Sequence, residues 1–279
     1  MEAVCLEPGD FLRAKAPIAP GGGLVGTVRE VGEAATAFAG ARVLVAPVQA
    51  CGECDTCRRG FATVCPSRTL LGQDTDGGSA ELVVAHSRWL TRLDEGLEIP
   101  GPTAALVAGP ALLAYACHCR AGVSAGDLVV VLGSGPAAMI LSALAASRGA
   151  KVVSASGEQA SRSIEAELAS IDAKGRPQKI FVCDGRENLS TAVQVATPGS
   201  LIVTTLASET IDMQAVVDSE LSLIGLSKGH PDLMTETAAL VVKGELDLAP
   251  YYLASSIADA TEEATVQATA DGKCLVAQH

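Results

Sequence analysis

One run of residues, Cys51-Gly-Glu-Cys54-Asp-Thr-Cys57-Arg-Arg-Gly-Phe-Ala-Thr-Val-Cys65, constrains this chain more than any other part of it. Three cysteines stand at successive gaps of two residues, and a fourth follows after seven more. A two-residue gap lets a tight turn bring sulfurs onto one centre, and four thiolates close a tetrahedral Zn²⁺ site with no open position. Such a site braces a fold and does no chemistry of its own. Its formation contributes ~10–16 kcal/mol in apparent terms, so a chelator is expected to loosen the loop. Gly52 and Gly60 suit the turns, while Arg58 and Arg59 form a solvated face. Four reduced, buried cysteines and an iron–sulfur cluster are the other readings of the same run.

The chain around this run has 279 residues, enough for about two domains at ~150 residues each. Apolar residues make up 48% and charged ones 19%, the balance of a globular chain. Aromatics are only 3%, so the core is built from Ala, Val, Leu and Ile, and platforms for stacking bases are not expected. A net charge of −12 repels phosphate backbones and anionic bilayers, which argues against nucleic acid and membrane as partners. The opening MEAVCLEPGD has no apolar core and does not read as a signal peptide. Two apolar runs approach the length of a membrane span. Leu128 to Ala146 is broken by Gly133-Ser134-Gly135-Pro136, and Thr103 to Cys119 by Gly109-Pro110. Both read as buried strand or helix in a cytoplasmic protein. In that compartment nine cysteines do not imply disulfides.

The second informative stretch is Asp127-Leu-Val-Val-Val-Leu-Gly133-Ser134-Gly135-Pro136-Ala137-Ala138. It runs from a strand through glycines into a helix at 137–148, and a further strand follows at 151–155. Gly133 permits the tight turn, Gly135 lets a pyrophosphate approach the backbone, and small Ala138 allows close helix–strand packing. The helix N-terminus offers free N–H groups to an anion, with Ser134, Pro136 and Ala137 lining the same turn. No Lys follows the glycines, so this is not a triphosphate loop. Ser156 ends the second strand where an acidic residue would exclude a 2′-phosphate, and Arg162 follows in reach of one. These features favour NADP over NAD if a nucleotide binds; Ser156 is equally well a plain loop residue.

These two motifs, in this order and with Gly77-Gly78-Ser-Ala-Glu-Leu-Val-Val between them, resemble the zinc-containing medium-chain dehydrogenase/reductase family. Leu24-Val-Gly-Thr-Val-Arg-Glu-Val-Gly32, Ala121-Gly-Val-Ser-Ala-Gly-Asp127 and Gly272-Lys-Cys-Leu-Val276 extend the resemblance over nearly the whole chain. Lys179-Ile-Phe-Val-Cys-Asp-Gly185 and Asp247-Leu-Ala-Pro-Tyr-Tyr252 are most similar to the branch that oxidises hydroxycyclohexene-carbonyl-CoA thioesters. The resemblance implies an α/β architecture: a doubly wound Rossmann domain plus a partial GroES-like, β-rich domain carrying the zinc lobe. On that reading residues 1–99 are GroES-like with the lobe at 51–65. Residues 100–244 are the Rossmann domain, with strands at 128–132, 151–155, 179–183, 200–205 and 222–226. Residues 245–279 return to the first domain through a strand near 251–257, a helix near 260–270 and a strand at 273–277.

The departures from the family bear on chemistry. Its catalytic zinc is held by an N-terminal Cys, the His of a Gly-His-Glu motif and a later Cys, Asp or Glu. Those last two positions fall on Gly21-Gly22-Gly23 and Gly109-Pro110-Ala111, which offer no donor side chain. Cys5 is the one remaining candidate, and a single thiolate does not hold an open zinc site. The first strands usual to the GroES-like domain are not found before Met1. The strand normally found between Ser156 and Lys179, beneath the adenine, is replaced by one amphipathic stretch at 159–173.

Tyr115 can donate a proton or simply pack. Cys117-His118-Cys119 place neighbours on different faces of a helix and read as packing. His86 and His230 fall in loops or strand ends and read as solvated, and His279 as a mobile terminus. Cys183 and Asp184 end a buried strand at the edge where ligands bind, and suit either a cofactor-lining or a structural role. The acids of 259–263 fit the start of a helix.

Two functions fit this set. One is a hydride-transferring oxidoreductase using NADP or NAD on an alcohol, ketone or enoyl substrate, a cyclic acyl-CoA thioester among them, without the family's catalytic zinc. The other is a catalytically inactive, zinc-stabilised protein that binds a nucleotide or a partner. The resemblance also implies a homo-oligomer, dimer or tetramer, pairing through 222–226.

Overall fold

Short runs of Val, Leu and Ile between glycines and prolines form strands, and Ala-rich runs form helices. In the computed structural model the described residues are 1–13, 18–93, 98–156, 160–171, 176–184, 188–206 and 211–279. Their strands are β1 (Ala3–Leu6), β2 (Gly23–Thr27), β3 (Arg42–Val45), β4 (Val48–Gln49), β5 (Thr69–Leu70), β6 (Leu90–Arg92), β7 (Leu128–Leu132), β8 (Lys151–Ala155), β9 (Lys179–Val182), β10 (Leu201–Thr204), β11 (Ser222–Gly225), β12 (Tyr252–Ser256) and β13 (Cys274–Gln278). The helices are α1 (Pro8–Arg13), α2 (Asp55–Arg58), α3 (Gly101–Ala108), α4 (Pro110–Ala121), α5 (Pro136–Ser147), α6 (Ala160–Ile171), α7 (Asn188–Val195), α8 (Met213–Asp218), α9 (Met234–Val242) and α10 (Glu262–Ala270).

The chain divides into two compact units, Met1–Leu113 with Lys228–His279, and Ala114–Ser227. Sequence reasoning places the divisions near 100 and 244 instead. The difference comes from packing. All eight residues of α3 are buried, the helix lies on β1, β2 and β13, and α9 packs on α3. The stretches on either side of the nucleotide-binding segment therefore side with the first unit.

In the first unit six strands form one sheet in the order β12-β13-β1-β2-β3-β6. β1 is antiparallel to both β2 and β13, so the two ends of the sequence meet at the centre of the sheet. Val4, Leu6, Leu24, Val43 and Leu275 fill its core together with Ala268 of α10. The N-cap Thr261 of α10 accepts a hydrogen bond from the Ala264 N–H, and Glu262 and Glu263 occupy its first turn. That is the structural use expected of those acids.

The same register corrects one expectation. Cys5 and Cys274 are joined by a disulfide, with Cα atoms 6.3 Å apart. Cys5 faces Val276 across the ladder, which makes Cys274 its diagonal neighbour. The sequence separation of 269 residues hides this pairing until the sheet forms. His279 is corrected as well. Rather than hanging free, its ring Nε2 lies 3.0 Å from the Gly78 carbonyl.

In the second unit five parallel strands follow the order β11-β10-β9-β7-β8. Val130, Leu132, Ile180, Val182 and Ile202 pack one face against Ile164 and Leu168 of α6 and Ala192 of α7. β8 is the edge strand, and α6 is the element between it and β9 among the described residues. A doubly wound sheet normally carries one further strand beyond that edge. The five strands lie within a residue or so of their expected limits. No single helix among the described residues is long and apolar enough to cross a membrane.

Candidate functional site

The cysteine lobe is built from turns. Cys54 caps α2, Cys57 lies within it, and Cys65 ends the short helical turn of Ala62–Val64. Gly52 and Gly60 have φ of 75° and 84°, conformations glycine adopts without strain. The antiparallel pair β4–β5 closes the base of the loop. Two side chains from outside it fasten its start: Arg88 donates to the Gly52 carbonyl at 2.7 Å and Trp89 to the Ala50 carbonyl at 2.8 Å.

The four sulfurs lie within 4.8 Å of one another, the one such grouping of metal-competent side chains among the described residues. Four of their separations are 3.5 Å (Cys54–Cys57, Cys51–Cys65), 3.8 Å (Cys54–Cys65) and 3.9 Å (Cys51–Cys57). A tetrahedron of Zn–S bonds of about 2.3 Å has edges of about 3.8 Å, so the frame already has the size of a closed zinc site. Backbone N–H groups of Glu53 and Cys54 pull the Cys51 thiol down to about 6, which favours the thiolate a metal needs. Desolvation pushes the Cys57 thiol the other way. Arg58 and Arg59 are exposed, as expected, and Arg59 lies over the Phe61 ring.

A separate cavity of about 50 Å³ lies within the first unit, lined among others by Cys5, Glu7, Asp10, Gln73, Gly109 and Lys228. Gly22 and Gly23 form part of its wall, and both are demanded by packing. A Cβ on Gly22 would sit 2.9 Å from Pro47 Cβ and 3.1 Å from the Leu71 carbonyl oxygen. One on Gly23 would sit 2.8 Å from Gly109 Cα and 2.9 Å from Gly109 N. The two segments that lack donor side chains are thus pressed together, backbone on backbone. Gly23→Ala is expected to destabilise the protein by about 1–3 kcal/mol, because the clash is with main chain and not with a movable side chain. Urea unfolding checks this, and an unchanged midpoint would mean that the two backbones part easily.

Asp10 is the group in this cavity that sequence reasoning misses. Its Oδ2 accepts a hydrogen bond from the Glu7 N–H at 3.0 Å, and the residue is 9% exposed. Burial, followed by the neighbouring Glu7 charge, pushes its carboxyl up from an ordinary 3.8 to about 6. The Glu7 N–H, Lys228 and a hydrogen bond from Gln73 pull the other way and lose. Nothing local distinguishes Asp10 from a solvated acid in the first turn of a helix.

The glycine turn joins β7 to α5 at the carboxyl edge of the parallel sheet, with Gly135 as N-cap and Pro136 at the first helical position. Gly133 has φ of 142°. The N–H groups of Ser134 and Gly135 converge on one anion, the carboxylate of Asp184, at 3.0 Å and 2.6 Å to Oδ2. Asp184 therefore stands in for a bound phosphate and demonstrates that the cradle accepts negative charge, as a helix N-terminus should. Ser156 is exposed just beyond β8. The Arg162 side chain lies outside the described residues.

Tyr115 stacks on His118 with ring centroids 6.3 Å apart. Cys117 and His118 are buried in α4 and Cys119 is exposed, so the three do not converge. Burial holds the Cys117 thiol up at about 12, lifts that of Cys183 well above its ordinary value, and lowers His118, so these groups stay neutral. His86 and His230 cap short helical turns, accepting from the N–H of Arg88 and Asp232. As a candidate metal ligand or nucleophile, Cys5 is corrected: its sulfur is bonded to Cys274.

A GroES-like sheet unit with a cysteine lobe, together with a parallel nucleotide-type sheet, defines the class of protein. Residues 2–95 match the alcohol dehydrogenase GroES-like domain. The chain is 28% identical over 283 aligned positions to a 2-dehydro-3-deoxy-L-galactonate 5-dehydrogenase of Pseudoalteromonas atlantica, covering 93% of this chain and 81% of that one. Other curated dehydrogenases match over 25% to 43% of their own length. Among solved structures, a putative zinc-binding dehydrogenase from Sinorhizobium meliloti bound to NADP superposes with a TM-score of 0.84 at 22% identity, covering all of this chain and 90% of that one. A short chain alcohol dehydrogenase (rspB) from Escherichia coli CFT073, complexed with NADH, gives 0.82 at 20% identity with the same coverage. The chain is thus similar in sequence and fold to alcohol and polyol dehydrogenases, and its residues 2–95 match their GroES-like domain.

Proposed function

We propose that this chain is an NAD(P)-dependent oxidoreductase that moves hydride to or from a small alcohol, ketone or enoyl substrate. The observation that carries this reading is the glycine turn between β7 and α5, whose N–H groups hold an anion at the carboxyl edge of a parallel sheet. Ser134, Gly135, Pro136 and Ala137 would hold the diphosphate, and a neutral Ser156 leaves room for a 2′-phosphate, which favours NADP. The cofactor supplies or accepts the hydride. Cys51, Cys54, Cys57 and Cys65 hold one structural Zn²⁺ per chain, a reading supported by sulfur separations that match a tetrahedral site.

The family's catalytic zinc is not part of this proposal. Cys5 is bonded to Cys274, and Gly22 and Gly23 leave no room for larger side chains. Within the cavity, Asp10 and Lys228 are the chain's own groups for exchanging a proton with a substrate oxygen and for holding a negative charge there. The dehydrogenase relatives favour a small hydroxylated substrate, and the acyl-CoA thioester implied by 179–185 and 247–252 is tested beside it. The exposed edge strand β11 is the surface we assign to pairing between copies.

The backbone contact between Gly23 and Gly109 favours a second reading, a zinc-stabilised binding protein without catalysis. A fluorescence titration with NADPH and NADH separates the two. Saturable micromolar binding, followed by turnover with sugar acids, enones or cyclic acyl-CoA thioesters, is the expected result. Binding of neither nucleotide by zinc-loaded protein would leave the second reading in place.

A further inference from the structure

The glycine turn is already occupied by the protein itself. Asp184 stands two residues beyond the end of β9, and the Cys183 N–H still donates to the Leu132 carbonyl at 2.9 Å, which holds the ends of β7 and β9 side by side. From there the Asp184 carboxylate reaches both free N–H groups of the turn. Oδ1 lies 3.1 Å from Ser134 N, and Oδ2 lies 3.0 Å from Ser134 N and 2.6 Å from Gly135 N. The fit is close enough that a Cβ on Gly133 would come within 2.8 Å of the carboxylate carbon. Gly133 is thus required here by an internal anion as well as by its own backbone angle.

We propose that Asp184 is an intramolecular competitor for the dinucleotide's diphosphate and is the residue that sets nucleotide affinity. The inference rests on the dehydrogenase reading above. Its physical basis is that an anion at a helix N-terminus gains from the unpaired N–H groups and from the helix dipole. A diphosphate using the same N–H groups meets a carboxylate that is tethered at high effective concentration. It must break two or three charge-assisted hydrogen bonds to enter, and a carboxylate left beside it repels it. Asp184 therefore penalises every ligand that presents negative charge to the turn, and penalises neutral ligands less.

The test compares wild type with Asp184→Asn and Asp184→Ser, using NADPH, NADH and inorganic pyrophosphate as probes in titrations at fixed salt. Two variants guard against one that folds poorly, and thermal midpoints identify it. The Ser134 and Gly135 amide resonances are followed in parallel. Both variants are expected to bind all three probes at least tenfold more tightly than wild type. Both amides should shift on substitution alone, and again on adding pyrophosphate. Equal affinities in wild type and variants would overturn the inference while leaving the dehydrogenase reading standing. Weaker binding in the variants would overturn it too, and would make Asp184 a cofactor-positioning residue. If neither variant binds any probe, the inference and the cofactor reading fall together.

Discussion

Stripping the metal with a chelator, or replacing Cys54 by Ser, is expected to unravel residues 51–65 and shift the fluorescence of Trp89 to the red. The loop holds little else that could keep it folded. It contains a single turn of helix, one short helical turn and a two-residue ladder at its base. Structural zinc contributes ~10–16 kcal/mol in apparent terms, as much as the whole net stability of a typical domain. Losing one of four thiolates leaves three sulfurs around an open metal or none, and Arg88 and Trp89 then hold only the start of the loop. Trp89 is the chain's one tryptophan, is 5% exposed, and donates to the carbonyl of Ala50, immediately before the first ligand. Its emission therefore reports on the start of the lobe and on the end of β6 beside it. The measurement is emission and zinc content on the same sample, with one zinc per chain before chelation and a red shift after. An unchanged spectrum and midpoint on full metal removal would rule out a structural metal here. Two metals per chain would point to donors outside the four cysteines.

The second large effect is a pH dependence. Asp10 titrates near 6 in the folded protein and near an ordinary 3.8 when unfolded. A carboxyl raised by folding binds its proton more tightly in the native state. Its contribution to stability is therefore complete below about pH 4 and is lost as pH rises through about 6. At roughly 1.4 kcal/mol per unit, the difference is on the order of 3 kcal/mol for this nearly buried group. Asp10→Asn keeps the shape without the charge. The variant is expected to lose this fall in stability between about pH 4 and 6, and to be the more stable protein at pH 8. Urea unfolding across that range measures it, with the charges facing Asp10, Glu7 and Lys228, left in place. Parallel curves for the two proteins would mean that Asp10 is hydrated and titrates normally.

Much of the architecture was readable because its signals are local. The CxxCxxC spacing carries its chemistry within fifteen residues. The run from Asp127 to Ala138 carries strand, turn and helix start in a single stretch. The three inner strands β7, β9 and β10 follow from short apolar runs that are buried almost throughout. Among the described residues α6 is the one element between Ser156 and Lys179, in keeping with the short interval there.

What stayed hidden depends on partners distant in sequence. Cys5 and Cys274 become neighbours only when β1 and β13 pair, and no spacing rule spans that interval. The unit boundaries moved because α3 and α9 choose their sheet by packing, and an apolar helix of uniform burial carries no mark of which sheet it will meet. Asp10 is an ordinary helix-start acid until folding takes its water away.

By itself, the sequence determined what kinds of group this protein has: a four-thiolate metal lobe, a glycine turn before a helix, and no donor side chains at 21–23 or 109–111. Local chemistry suffices for these, since spacing and side-chain type decide them. Only the tertiary structure decided how those groups are used. It pressed Gly23 onto Gly109, sealed Cys5 to Cys274, and laid the Asp184 carboxylate on the N–H groups that the turn offers. Each is a contact between segments that the chain brings together only by burying apolar surface, and burial of that kind is set by the whole sheet and not by any stretch of it.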